Sequence, residues 1–237
     1  MTSSPARPSA SKEHVLANLE EIRAGIAAAS DRAGRSASAV RLVAVTKTVE
    51  AGRVRWVAEA GIADFGENYV RELASKREAA PEATWHFIGT LQSHTARHVA
   101  QHADVVETLT PGSATIRLAN RAAEAARRIQ ALIEVDFTDR RTGVPPERLD
   151  AFTDEVAALE GLELKGLMTL PPLPNRSEDS RPYFARLREL GERLRERHPA
   201  ANQLSMGMSI DYMVAVEEGA TMVRIGTALF GERPPKA

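Results

Sequence analysis

Eight short apolar or β-branched runs, nearly every one followed by a segment of helical composition, constrain this chain more than any other feature. The runs are RLVAVTK (41–47), IADFG (62–66), TWHFIG (84–89), DVVETL (104–109), ALIEVDF (131–137), LELKGLMTL (162–170), NQLSMG (202–207) and TMVRIG (221–226). Segments of helical pattern lie between them, for example at 54–60, 114–129 and 183–197. This alternation predicts an α/β fold, a single (β/α)8 TIM-like barrel, and the 237 residues suit one. A doubly wound open sheet is the structural alternative, but it usually carries fewer strands. Upstream, Val15, Leu16, Leu19, Ile22 and Ile26 recur at helical spacing over 13–32, which adds an extra N-terminal helix ending near Gly34. Residues 1–12, rich in Ser, Pro and Ala, read as a disordered N-terminus and not as a secretory signal. No Gly/Pro-rich linker divides the rest, so 13–237 reads as a single barrel domain. The prolines Pro171, Pro172 and Pro174 mark a long loop after the sixth strand.

Composition removes several function classes. The chain is 43% hydrophobic and 27% charged, which fits a folded domain with a core. Its formal net charge of -1 gives no overall attraction to nucleic acid or an anionic membrane. No apolar run approaches the roughly 18 residues of a membrane helix. Cysteine is absent, which excludes disulfides, thiolate zinc sites and cysteine nucleophiles. A cytoplasmic location is expected. No Walker loop, GxGxxG after a strand or GxSxG elbow is present.

In a barrel of this kind, chemistry sits at the C-terminal rim, where strands pass into loops. Only five of the 31 basic residues are lysines, so a lysine in an apolar setting is informative. Lys47 ends the first run, after Leu42, Val43, Ala44, Val45 and Thr46. Desolvation at a barrel mouth favours a neutral amine, which is what a Schiff-base lysine needs. The plain alternative is a strand-end lysine snorkelling into solvent. Lys165 lies near the start of its run, and is expected to serve structure at the opposite rim.

The seventh and eighth strand ends offer a phosphate site. LSMGMS (204–209) supplies Ser205, Gly207 and Ser209, and RIGT (224–227) supplies Gly226 and Thr227. Barrels commonly bind phosphate with these two loops, although Ser, Gly and Thr at such junctions often serve only as helix caps. Closure would pair the eighth strand with the first and bring Arg224 beside Lys47. A ligand carrying both an aldehyde and a phosphate suits this set. Pyridoxal phosphate (PLP) is one such ligand; a phosphorylated sugar or keto acid fits too. His94, His98 and His102, spaced four apart, read as a solvated helix face rather than a metal site, and no metal is expected. His86, in mid-strand, reads as a core or rim histidine with its ring satisfied by hydrogen bonds.

VAVTK, FGENYVRE, WHFIGTLQS, GLMTL, LSMGMS and MVRIGTALFG, in this order, resemble the pyridoxal phosphate homeostasis protein family, the single-domain relative of the barrel half of bacterial alanine racemases. The resemblance covers about 42–231. It implies that Lys47 is the Schiff-base lysine. It implies a phosphate group made by Ser205, Gly226 and Thr227 with Met206 and Gly207. It also places Arg224 at the pyridine nitrogen, and Asn68 and Met168 on the pocket wall. A cation at that nitrogen disfavours its protonation and damps carbanion chemistry. The chain departs from the family pattern at Thr90 (in place of Pro), His94-Thr95 (in place of Asn-Lys) and Ile210 (in place of an acid).

The resulting expectation is a PLP-binding protein for intracellular PLP homeostasis and supply, with little or no catalysis. It would act as a monomer or weak dimer, with PLP-dependent apo-enzymes as possible recipients. The alternative is an amino-acid (alanine) racemase, which needs a second base besides Lys47. Alanine racemases take theirs, a tyrosine, from a following domain that is expected to be absent here, since the chain ends at Ala237. Its own tyrosines are Tyr69, Tyr183 and Tyr212. An aldolase or phosphosugar enzyme using Lys47 on its substrate is a third reading. A scaffold without ligand leaves the lysine and the phosphate loops unexplained.

Overall fold

The computed structural model describes residues 11–138 and 142–232. Its strands are β1 (Arg41–Val45), β2 (Asp64–Glu67), β3 (Thr84–Phe87), β4 (Val105–Leu109), β5 (Ile129–Val135), β6 (Leu162–Thr169), β7 (Gln203–Ser205) and β8 (Met222–Ile225). They pair in sequence order, all parallel where paired, and β8 returns to β1 to close the barrel. Helix α1 (Lys12–Arg32) precedes β1. The helices α2 (Ala51–Glu59), α3 (Val70–Lys76), α4 (Ala96–His102), α5 (Ser113–Glu124), α6 (Leu149–Ala157), α7 (Arg181–Arg197), α8 (Tyr212–Glu217) and α9 (Thr227–Phe230) each follow one strand in turn. All eight expected strands are therefore present.

Several boundaries shift, and two of them bear on the fold. The helix expected over 114–129 stops at Glu124, because Ile129 already pairs with Leu162 on β6. A left-handed Ala126, at φ 50, makes the intervening turn. At the other end, Ser11 caps α1 through the His14 N–H, so residues 11 and 12 belong to that helix. The remainder of the expected disordered segment, 1–10, lies outside the described residues. Among the described residues, no helix is long and apolar enough to cross a membrane.

Helix α1 packs on the flank of the barrel, against α2, α8 and α9, and buries Val15, Leu19, Ile22 and Ile26 there. It thus covers the seam where β8 meets β1. Asn18 Nδ2 donates to the Leu229 carbonyl at 3.1 Å. Just beyond α1, Arg35 donates to the carbonyls of Val216 and Ala220. Beneath the helices lies the main apolar layer, where Phe65 stacks on Trp85 with ring centroids 5.2 Å apart. A second, small cluster of strand residues, Val43, Val105, Leu132, Met168 and Met222, fills the barrel interior.

The interior also holds a polar chain. Ser205 Oγ on β7 donates to Glu107 Oε2 on β4 at 2.5 Å. Those strands are not neighbours, so this bond crosses the lumen. Glu107 Oε1 meets His86 Nδ1 at 2.7 Å, and His86 Nε2 meets Asp64 Oδ1 at 2.9 Å. Arg224 Nη1 donates to Ser205 Oγ, and Nη2 to the Thr169 carbonyl at 2.9 Å. Asp64 also accepts from Arg41 Nη1 at the N-terminal rim. Burial alone pushes the His86 pKa down, but its bonds to Asp64 and Glu107 and their charges raise it to about 8. The expected satisfaction of the His86 ring is thus met by two carboxylates. Glu107 is pushed up by burial, yet His86, Arg224 and Ser205 together bring it below the ordinary carboxylate value.

Two outcomes follow from this packing. Leu19→Ala should cost about 2–5 kcal/mol in urea unfolding, whereas a loss under about 0.5 kcal/mol would put α1 outside the cooperative core. The raised His86 pKa stabilises the fold most fully below its unfolded value near 6.5. That contribution, on the order of 2 kcal/mol, disappears as pH rises through about 8. An imidazole titration by NMR should show a His86 midpoint near 8; a midpoint at or below 6.5 contradicts the charged bridge.

Candidate functional site

The first strand delivers Lys47 to the C-terminal rim two residues past its last paired position, Val45. The register Val43↔Arg224 and Ala44↔Ile225 then carries Gly226 and Thr227 to the same level on the adjoining strand end. A cavity of about 420 Å³ opens there. Lys47, Asn68, Met168, Arg224, Gly226 and Thr227 all line it, so six of the nine expected site residues meet at one place. Ligand pockets for small molecules typically begin at about 300 Å³.

Lys47 is half-buried, and its Nζ lies 5.4 Å from the centroid of the Tyr69 ring. Among the described residues, no carboxylate lies within ion-pairing distance of that amine. Asn68 is set by backbone contact: a Cβ on Gly89 would fall 2.0 Å from the Asn68 carbonyl oxygen, so only glycine lets β3 end so close to it. Arg224 forms the buried floor. Burial pushes its pKa down from the ordinary value, against the charges of Glu107, Glu134 and Asp211. Its guanidinium is fixed by Ser205 and Thr169, with Glu107 Oε2 at 3.6 Å.

Ser205, Met206 and Gly207 are placed beneath the rim instead of on the cavity wall. Ser205 is fully buried, with its hydroxyl committed to Glu107 and Arg224. The Met206 N–H bonds the Met222 carbonyl and joins β7 to β8. Gly207 has φ 89, and a Cβ there would meet Ala215 Cβ at 2.4 Å, so it turns the chain against α8. The hydroxyl that does line the cavity from this loop is Ser209, which accepts from the Ala228 N–H at 3.1 Å. Asp211 holds the same loop by accepting from the Met208 N–H at 2.7 Å and from Ser180 Oγ at 2.6 Å. The LSMGMS motif offers both Ser205 and Ser209, and the resemblance implies the phosphate role for Ser205; of the two, Ser209 lines the cavity. Strand alternation does not show depth below the rim.

Lys165 Nζ pairs with Glu163 at 2.7 Å, away from the cavity. His94 and His98 are exposed and His102 is half-buried, all on a larger groove of about 1070 Å³ beside α3 and α4. Asn68 and Tyr69 also border that groove. Burial pushes the His102 pKa down, with the charges of His98, Arg77 and Arg127 acting the same way. Among the described residues, no group of three or more His, Asp or Glu is arranged to hold a metal. Of the tyrosines, Tyr183 packs on Phe137 and the Tyr212 hydroxyl abuts Gly25 of α1, which leaves only Tyr69 beside Lys47.

With this geometry in place, likeness to known proteins is informative. Residues 17–234 match the family model described as alanine racemase, N-terminal domain. The pyridoxal phosphate homeostasis protein of Vibrio cholerae is 38% identical, over 91% of this chain and 95% of that protein. The protein of the same description from Aquifex aeolicus is 39% identical, over 91% and 96%. PipY of Synechococcus elongatus, solved with PLP bound, superposes with a TM-score of 0.80 at 32% identity, covering 92% of this chain and 100% of PipY. A closed barrel bearing a rim lysine, together with matches that span nearly the whole chain, shows that it belongs to the pyridoxal phosphate homeostasis protein family, built on the alanine racemase N-terminal domain.

Proposed function

We propose that this chain binds pyridoxal 5′-phosphate covalently through Lys47, and that it holds and supplies the cofactor in PLP homeostasis with little or no catalysis. The observation that carries this reading is the meeting of Lys47 with the Gly226–Thr227 loop on one cavity. The donor set fits the group. The Lys47 amine suits the aldehyde, buried Met168 gives an apolar wall for the ring, and the hydroxyls of Ser209 and Thr227 suit the phosphate. When bound, PLP supplies an aldehyde that condenses with an amine. The relatives support the reading through their description, and PipY through its PLP-bound structure.

Arg224 shapes what such a site does. As a cation on the floor, restrained by Ser205 and Thr169, it keeps a proton off a ring nitrogen placed against it. A ring left unprotonated is a weak electron sink, which suits holding over turnover. Racemisation would require a base on each face of a substrate. Tyr69, the tyrosine near the cavity, has its ring beside Lys47 itself. A cytoplasmic location, a monomer or weak dimer, and delivery to PLP-dependent apo-enzymes complete the proposal.

Purified protein incubated with PLP should show a visible band that Lys47→Ala abolishes, and borohydride should fix the added mass on Lys47. The same protein should form no D-alanine from L-alanine. No band in the wild type, even with excess PLP, would overturn the reading and favour a phosphosugar substrate. Rapid D-alanine formation would restore the racemase.

A further inference from the structure

Lys76 lies behind Lys47, at the end of α3, and only 8% of its side chain is exposed. Its ammonium donates three bonds of 2.7 Å: to the Thr46 carbonyl, to Glu67 Oε1 and to Glu72 Oε2. Glu72 Oε2 in turn accepts the Thr48 N–H at 2.8 Å, and Thr46 Oγ1 donates to Glu67 Oε1 at 2.7 Å. The peptide groups on either side of Lys47 are therefore tied to one ammonium, directly through Thr46 and through Glu72 at Thr48. Thr48 itself has φ 63, a left-handed conformation that a β-branched residue adopts only when its surroundings impose it.

We propose that Lys76 is a positioning residue for Lys47, fixing the 46–48 turn through Glu67 and Glu72 so that the Lys47 amine meets an aldehyde carbon. This rests on the PLP reading above and deepens it. Neutralising Glu67 would need only one of the three bonds; the other two serve the turn. A lysine suits the task because its three N–H groups diverge from one atom, and all three are used here. The planar fork of arginine does not match acceptors placed in this way. In the step assisted, the neutral Lys47 nitrogen adds to the aldehyde carbon. A carbon–nitrogen double bond replaces the carbonyl bond, and the oxygen leaves as water with the two amine hydrogens. No electrons are gained or lost.

The test separates binding from covalent capture in the full chain. Pyridoxine 5′-phosphate, which has an alcohol where PLP has its aldehyde, reports binding alone; stopped-flow absorbance with PLP reports capture by Lys47. Lys76→Arg and Lys76→Met should bind pyridoxine 5′-phosphate within about twofold of the wild type but capture PLP about tenfold or more slowly, since small misplacement of a reacting atom is costly. Glu72→Gln, which weakens the Thr48 arm, should fall between. Burial pushes the Glu67 carboxyl upward in pKa, so Lys76→Met has a proton to take up in place of the lost partner. If that variant does not fold, Lys76→Arg and Glu72→Gln carry the same comparison. Capture at the wild-type rate in these folded variants would overturn the proposal, as would a parallel fall in binding and capture, which marks general structural damage. A wild type that never captures PLP on Lys47 would overturn the underlying reading, and this proposal with it.

Discussion

Pairing of β8 with β1 is the constraint on which everything at the rim depends. Four register pairs, from Arg41↔Met222 to Ala44↔Ile225, bring the two ends of the barrel sequence together. Lys47 leaves the first strand and Gly226 leaves the last, so neither loop alone makes a site. Parallel strands that close on themselves expose no edge, but the seam still needs a cover outside. Helix α1 supplies it, and tethers from Asn18 and Arg35 reach the last two helices and the turn before β8. An element that looks like an appendage in the sequence thus packs on the helices that flank the closing strands.

Buried charge in the lumen is the second organising feature. A guanidinium held under the rim cavity is costly to bury unless its charge is met. Here Glu107 stands 3.6 Å away, and Ser205 bridges the two. His86 and Asp64 continue the chain toward the opposite rim. The same bonds that make Arg224 tolerable also stop it swinging, so the floor of the pocket carries a fixed charge. Lys47 differs: its backbone is clamped, and among the described residues no carboxylate lies within ion-pairing distance of its amine. In the proposed function, Arg224 serves as the floor and the Lys47 amine as the reacting group.

Much of this was legible in the sequence. Strand order followed from eight apolar runs, and closure followed from their number. Closure in turn brought Lys47 and Arg224 together across most of the chain. What failed to show was depth and partnership. Ser205 and Ser209 both sit in LSMGMS, but only the pitch of the chain past β7 shows that the first points into the lumen and the second lines the cavity. Glu107 and His86 are both polar residues in apolar strands, but only their hydrogen bond inside the barrel shows that they act together. Lys76 carries no signal, since an exposed-looking lysine on a short helix reveals its acceptors only once α3 is packed on β2, with Thr46 just past β1 in reach. The expected α5 is overlong as a matter of composition, because alanine and arginine at 125–128 continue its pattern past Glu124 up to the start of β5.

The most direct measurement is a crystal structure of the full chain grown with pyridoxal 5′-phosphate. Continuous density from Lys47 Nζ to the ligand, the phosphate against Ser209, Gly226 and Thr227, and the ring nitrogen facing Arg224 is the predicted result. Ligand bound in the groove beside α3 and α4, or bound at the rim with the Lys47 amine turned away, would contradict the site described.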